Sequence, residues 1–108
     1  MEKVLIVVTV PPEHTETLLN AIAEAGGGQI GEYTHCAYMS LGYGRFKPSL
    51  NAKPHSGENG EISKTEEMRI ETFCQREDAR TIVSAIRSVH PYEEPVIYII
   101  PLLTEADL

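Results

Sequence analysis

The stretch REDARTIVSAIRSVHPYEEPVIYIIPLL, from Arg76 to Leu103, decides the fold because a helix pattern passes directly into a strand pattern. Its first half carries apolar residues at helical spacing, as an amphipathic helix does. This apolar stripe consists of Ala79, Ile82, Val83, Ile86 and Val89. Pro91 disfavours a helical conformation at His90, so the helix is expected to end there. The apolar run from Pro95 to Leu103 then predicts a strand.

The beginning of the chain predicts another strand and another helix. The segment KVLIVVTV, from Lys3 to Val10, is rich in β-branched residues and apolar on both faces, which is typical of a central strand. The segment from Pro11 to Gly28 predicts a helix, because Pro12 suits a first helical position and three consecutive glycines can end the helix.

Two strands and a long loop are predicted between the helices. Glu32–Phe46 predicts a second strand, whose end is loosened by Gly42 and Gly44. Glu66–Gln75 alternates apolar and polar residues and predicts a third strand. The segment 47–64 holds prolines and glycines without an apolar period, so we predict a mobile loop there.

The resulting order, β-α-β-β-α-β, predicts an α+β protein of the ferredoxin-like, split βαβ class. Such a chain forms a four-stranded antiparallel sheet with both helices on one face. Residues 1–108 are expected to form a single domain. The strands are too apolar for a sheet with one solvated face, and an exposed apolar face favours association. We therefore predict a homo-oligomer packed sheet to sheet.

Composition excludes some classes of partner. The chain of 108 residues has 9 Lys and Arg against 16 Asp and Glu, a formal net charge of −7. This charge argues against nucleic acids and against anionic membrane surfaces. The two cysteines, Cys36 and Cys74, form no disulfide scaffold, and the sequence contains no signal-peptide pattern or apolar stretch of membrane-spanning length. We therefore expect a cytoplasmic protein.

Four segments together resemble a known family. They are GGGQIGEYTHCAY (26–38), GYGRFKP (42–48), EEMRIETFC (66–74) and HPYEEPVIYIIPL (90–102). They resemble the domain inserted in the middle of the Nif-three-like proteins, which are dinuclear-metal hexamers. The resemblance covers nearly the whole chain, and HPYEEP after a helix is its most specific part.

The resemblance implies a fold similar to PII signalling proteins and to CutA, which form trimers, so a trimer is the favoured oligomer. In the family, the two metal ions are held by His, Asp and Glu residues of the flanking domains. The resemblance therefore implies an inserted domain on its own, and it gives no catalytic residue in this chain.

The corner between the second helix and the last strand is one candidate site. It gathers His90, Tyr92, Glu93 and Glu94, and His35 on the second strand is a further candidate ligand. Histidines with carboxylates suit Zn²⁺, Mn²⁺ or Fe²⁺, so His35 and His90 are candidate metal ligands. The alternative is structural: a protonated His90 caps the helix dipole and the glutamates are solvated.

The segment after the second strand is a candidate anion site. Gly42 and Gly44 would let the backbone approach a phosphate, and Arg45 and Lys47 would neutralise it. The alternative is a flexible hairpin end with a solubilising charge pattern, because G-x-G without a following helix is no dinucleotide fingerprint. The remaining histidines, at positions 14 and 55, are expected to be exposed and without a role.

Three functions remain open from the sequence. The first is a non-enzymatic oligomeric binding or regulatory module that holds a small anion or a metal at subunit clefts, lined by the Gly42–Pro48 loop and the His90–Glu94 corner. The second is a metal-dependent hydrolase acting on a nucleotide or related phosphate, with His35 and His90 as metal ligands and Glu93 or Glu94 as the base for a metal-bound water. The third is a trimerisation domain that docks a partner protein.

Overall fold

The order of secondary structure follows the sequence prediction. A computed structural model describes residues 2–108. The strands are β1 (Lys3–Val10), β2 (Tyr38–Phe46), β3 (Ser63–Gln75) and β4 (Ile97–Leu102), and the helices are α1 (Thr15–Glu24) and α2 (Ala79–Val89). Short 3-10 turns, Pro12–His14 and Arg76–Asp78, lead into the two helices, and a third, Glu105–Asp107, follows β4. Within residues 2–108, no helix has the length and hydrophobicity needed to cross a bilayer.

The four strands form one antiparallel sheet in the order β2-β3-β1-β4. This is the order of a split βαβ unit, in which β3 lies between the parallel strands β1 and β2. The predicted central position of β1 is correct, since β1 pairs with both β3 and β4. Strands β2 and β4 are the edges, and Pro101 lies within β4 opposite Val4.

The core lies between one face of the sheet and the two helices. Alternate residues of β1 and β3 point into it, and they meet one apolar stripe from each helix. The fully buried members are Ile6, Val8, Val10, Leu18, Ile70, Ile82 and Ile86. The alternation predicted for β3 is present, with Ile70, Thr72 and Cys74 buried on the helix side.

The open face of the sheet has no layer packed on it within residues 2–108. The pairing register places Leu5 and Val7 of β1 on this face beside Tyr98 and Ile100 of β4. Tyr98 and Ile100 are 60% and 43% exposed, and Tyr38 at the start of β2 is also exposed. We call the surface formed by Tyr38, Val7, Tyr98 and Ile100 the open apolar face.

The second strand is shorter than the sequence suggests, because it begins at Tyr38 and not at Glu32. Residues 29–37 form a connection in which Gly31 and His35 have positive φ angles of 55° and 61°. Those angles lie in the left-handed region and interrupt an extended strand. The connection is attached to the sheet through the Thr72 hydroxyl, which donates to the carbonyl of Cys36 at 2.8 Å.

The loop between β2 and β3 also differs from its prediction, because β3 begins at Ser63 and the loop ends there. The loop is held by its own polar groups. The Asn59 side-chain amide donates to the carbonyls of Ser49 at 2.6 Å and Ala52 at 2.8 Å. The Gly60 amide donates to the carbonyl of Pro48 at 2.7 Å. The segment therefore has a defined shape, and its mobility stays a prediction.

Candidate functional site

A pocket of about 400 Å³ lies between the β2–β3 loop and the corner that follows α2. Of the seven residues predicted to bind a ligand, six line it: Gly44, Arg45, Lys47, Tyr92, Glu93 and Glu94. Gly42, the seventh, lies two residues before Gly44 on β2 and is not part of the lining. The structure thus brings together two segments that are more than 40 positions apart in the sequence.

The loop is fastened to the corner by one hydrogen bond across the pocket. The backbone amide of Lys53 donates to the Glu93 carboxylate at 3.1 Å. A carboxylate that accepts from a backbone amide forms a charge-assisted bond, which is stronger than a neutral one. The contact therefore joins the two walls of the pocket.

At the floor of the pocket, Tyr92 is bonded to Glu67. The Tyr92 phenol donates to the Glu67 carboxylate at 2.8 Å. Burial raises the pKa of Tyr92 to about 12, and the neighbouring Glu67 carboxylate adds to this rise. Gly44 permits the arrangement, because a Cβ at this position would collide with the same carboxylate. The hydroxyl of Thr65 lies beside the phenol and is buried without a well-formed hydrogen bond.

His90 is buried and uses both ring nitrogens within the fold. Its Nε2 lies 2.7 Å from the carbonyl oxygen of Thr9, and its Nδ1 lies 3.2 Å from the backbone amide of Tyr92. A carbonyl needs a donor and an amide needs an acceptor, so these partners select the neutral tautomer with hydrogen on Nε2. Burial lowers the pKa of His90 in agreement. The alternative of a protonated cap on the helix dipole is therefore not what the structure contains.

The two residues predicted to bind a metal are not brought together. His35 is exposed, and its Nδ1 lies 2.8 Å from the hydroxyl of Thr34. The carbonyl of its neighbour Cys36 accepts a hydrogen bond from Thr72, and Thr72 pairs with Ile6 on β1. His90, by contrast, is hydrogen-bonded to the carbonyl of Thr9 on the same strand. Three residues of a strand span about 10 Å. The positions of His35 and His90 therefore do not form one site.

A different cluster lies at the edge of the pocket, and the sequence did not indicate it. The metal-binding atoms of Glu13, His14 and His55 all lie within 4.8 Å of one another. Two of these residues belong to the turn before α1, and His55 belongs to the β2–β3 loop and lines the pocket. The histidines are 41 positions apart, so no local spacing motif could have revealed them.

The charged side chains that line the pocket differ in the contacts that they already make. Within residues 2–108 the structure has one ion pair, between Arg69 and Glu71 at 3.1 Å on the open face of the sheet. Arg45 and Lys47 therefore take part in no ion pair in the described part of the chain. Two of the three pocket carboxylates, by contrast, already accept internal hydrogen bonds. The pocket lining thus combines two cations, Arg45 and Lys47, with three carboxylates, Glu67, Glu93 and Glu94.

Comparison with known proteins identifies relatives of this chain. No protein-family model matches the sequence. Curated relatives named "GTP cyclohydrolase 1 type 2 homolog" from Bacillus subtilis and Mycobacterium leprae are 42% and 38% identical over 97 residues, which is 90% of this chain. These alignments cover 26% and 25% of the relatives, so the chain spans about a quarter of their length.

Solved structures agree with the sequence relatives. A Bacillus cereus protein related to NIF3 matches with a TM-score of 0.81 and 38% identity, over 94% of this chain and 26% of that one. The PII-like protein CutA from Nostoc matches with a TM-score of 0.70 over 97% of this chain and 86% of that chain. CutA is only 18% identical, so that likeness concerns the fold alone. The predicted resemblance and the predicted ferredoxin-like fold are both confirmed.

Proposed function

We propose that this chain, a homologue of about one quarter of the Nif3-related proteins, is a non-enzymatic, oligomeric module that binds a small anionic molecule. The observation that supports this most directly is the pocket of about 400 Å³ with Arg45 and Lys47 in its wall. A volume of this size suits a small metabolite.

The anionic character of the ligand follows from the unpaired cations. Arg45 and Lys47 lie on one strand and its continuation, and both line the pocket. Glu67 and Glu93 accept hydrogen bonds from the Tyr92 phenol and the Lys53 backbone amide, and neither forms an ion pair with Arg45 or Lys47 within residues 2–108. Arginine and lysine can both bind a phosphate or carboxylate with charge-assisted hydrogen bonds. The net charge of −7 favours a compact anion over a polyanion.

The proposed regulatory element is the β2–β3 loop. A ligand between Lys47 and the corner would contact the same walls that the Lys53–Glu93 hydrogen bond joins. A bound ligand would therefore change the strength of the Lys53–Glu93 hydrogen bond and the order of the β2–β3 loop. A binding module needs such a differential contact to transmit its state to a partner.

The proposed oligomer uses the open apolar face. Tyr98 and Ile100 are exposed beside the buried Val7, so the centre of this face is apolar. Covering it with a second copy removes apolar surface from water, which stabilises the assembly by roughly 25 cal/mol per Å². A trimer is the proposed size, from the resemblance to PII and CutA folds.

The ligand test measures binding of pyrophosphate and of GTP by isothermal titration calorimetry. Arg45→Ala and Lys47→Ala should each weaken binding at least about tenfold, since a hydrogen bond to a charged group contributes ~1.5–3 kcal/mol. Arg80→Ala is the matched control, because Arg80 is exposed on α2 and lies outside the pocket. The proposal is contradicted if neither pyrophosphate nor GTP binds. It is also contradicted if Arg80→Ala weakens binding as much as Arg45→Ala and Lys47→Ala do.

The oligomer test measures molar mass in solution by light scattering. The unmodified chain should give a multiple of its 12.0 kDa mass, and Tyr98→Lys should give the monomer. Tyr33→Lys is the control, because Tyr33 is also exposed, at 72% against 60% for Tyr98, but lies in the connection before β2. A monomeric unmodified chain would refute the oligomer.

The hydrolase alternative relied on His35 and His90 as metal ligands. No observation favours it, because the two side chains lie apart and His90 is already bonded through both nitrogens. The docking-domain alternative predicts that no anion binds, so the calorimetric test separates it from the present proposal.

A further inference from the structure

Three side chains from two distant segments converge beside the pocket. We propose that Glu13, His14 and His55 form a site for a first-row divalent transition-metal ion such as Zn²⁺. Their metal-binding atoms lie within 4.8 Å of one another. Glu13 and His14 come from the 3-10 turn Pro12–His14, and His55 comes from the β2–β3 loop.

The donor set suits such an ion. Two imidazoles and one carboxylate are ligands that Zn²⁺ accepts in proteins, and they suit it better than Mg²⁺, which prefers oxygen alone. Zinc bonds of about 2.0–2.2 Å separate tetrahedral ligand atoms by about 3.4 Å. The observed separations, which are at most 4.8 Å, must therefore shorten by at most about 1.4 Å. Glu13 and His55 are exposed, so their side chains have more freedom to adjust than buried ones.

The backbones that carry the ligands are already fixed. The amide of His14 donates to the carbonyl of Pro11 at 2.9 Å, and the Thr15 hydroxyl donates to the carbonyl of Pro12 at 2.8 Å. The loop that carries His55 is braced by the Asn59 amide. Fixed backbones reduce the ordering cost of binding, so ligand side chains alone must adjust.

The two imidazole rings are positioned by contact with each other and with the pocket floor. The centroids of His14 and His55 are 5.7 Å apart with the rings edge to face, and His55 is 6.1 Å from the ring of Tyr92. A metal ion there would tie the β2–β3 loop to the start of α1. Three protein ligands also leave a coordination position for water. The site stands whether or not the pocket binds an anion.

The test is a zinc titration of untagged protein by calorimetry, followed by elemental analysis of the dialysed complex. We expect one Zn²⁺ per chain and no comparable binding of Mg²⁺. His14→Ala and His55→Ala should each weaken zinc binding at least about tenfold, because even outer-shell changes at metal sites have effects of this size. Glu13→Gln should weaken it as well, since it removes the negative charge and leaves the side chain in place.

His35→Ala is the matched control, because His35 is an exposed histidine outside the cluster. Its zinc affinity should equal that of the unmodified chain. Circular dichroism of each variant checks the fold, and His55 lies in an exposed loop, so its replacement leaves the core intact. Sub-stoichiometric zinc, or unchanged affinity in both His14→Ala and His55→Ala, would overturn the proposal. Equal loss in His35→Ala would also overturn it by showing non-specific binding to surface histidines.

Discussion

Replacing Tyr92 by phenylalanine tests the hydrogen bond at the floor of the pocket. The phenol donates to the Glu67 carboxylate at 2.8 Å, and a hydrogen bond to a charged group contributes about 1.5–3 kcal/mol. The ring of Tyr92 is partly buried, and water screens the pair in part, so we take the lower end of this range. At neutral pH, Tyr92→Phe should therefore lower the free energy of unfolding by about 1.5 kcal/mol.

The same hydrogen bond should produce a characteristic pH dependence. The pKa of Tyr92 is about 12 in the folded chain, above its ordinary value of 10. A raised pKa of an acid means that the stabilisation is complete below about pH 10 and is lost as the pH rises towards 12. The full rise corresponds to at most about 2.7 kcal/mol, and solvent screening reduces this to about 1–2 kcal/mol.

Urea unfolding of the unmodified chain and of Tyr92→Phe, from about pH 8 to about pH 11, measures this effect. The difference in the free energy of unfolding between the two proteins should narrow as the pH rises, because only the unmodified chain carries the Tyr92 phenol, which ionises in this range. Tyr33→Phe, which removes an exposed hydroxyl, is the control and should differ little at any pH. A difference that stays constant across the range, or is absent at neutral pH, would refute the reasoning.

Three further outcomes follow from single contacts. Gly44→Ala should destabilise the chain by about 1 kcal/mol in urea unfolding because the new Cβ displaces the Glu67 carboxylate, whereas Gly42→Ala has open space and should be neutral or slightly stabilising. Burial lowers the pKa of His90, so the contribution of its neutral ring to the free energy of unfolding is present above about pH 6.5 and is lost as the pH falls. His90→Gln should therefore lose less stability on acidification than the unmodified chain. Burial, aided by a nearby carboxylate, raises the pKa of the Cys74 thiol, so a thiol reagent should label it slowly in the native chain and quickly after denaturation; rapid native labelling would contradict its burial.

The fold could be predicted because its periodicities are strong. In β3, alternation from Met68 to Cys74 reports which side faces the helices, and the burial pattern follows it. In β1, Val7 is buried although it lies on the face opposite the helices, which explains why the strand is apolar throughout. Periodicity of this kind depends only on local sequence, so it can be recognised without knowledge of tertiary contacts.

The error at the second strand has a local cause that the sequence hides. Residues such as Tyr33 and Thr34 favour strands, yet His35 adopts a positive φ that few side chains other than glycine accept. That conformation is stabilised from a distance, through the hydrogen bond between Thr72 and the carbonyl of Cys36. A tertiary contact thus overrides the strand preference of the segment.

The candidate site could be predicted only in part, because some of its contacts join residues that are far apart in the sequence. Arg45, Lys47 and the corner residues were identified as short motifs, and the fold places them around one pocket. The pairing of Lys53 with Glu93 spans 40 positions, and the histidine cluster spans 41, so neither has a local signature. The hydrogen bond of His90 Nε2 likewise depends on Thr9, which is 81 positions away in the sequence.

The proline at the sheet margin bears on how copies of this chain avoid uncontrolled growth. Pro101 lies in β4, which is an edge strand, and proline has no amide hydrogen to offer a further strand. A sheet that lengthens strand by strand into a fibril needs an unbroken row of donors at its margin. The interruption at Pro101 disfavours that route at this margin and leaves the open apolar face as the surface of the proposed oligomer.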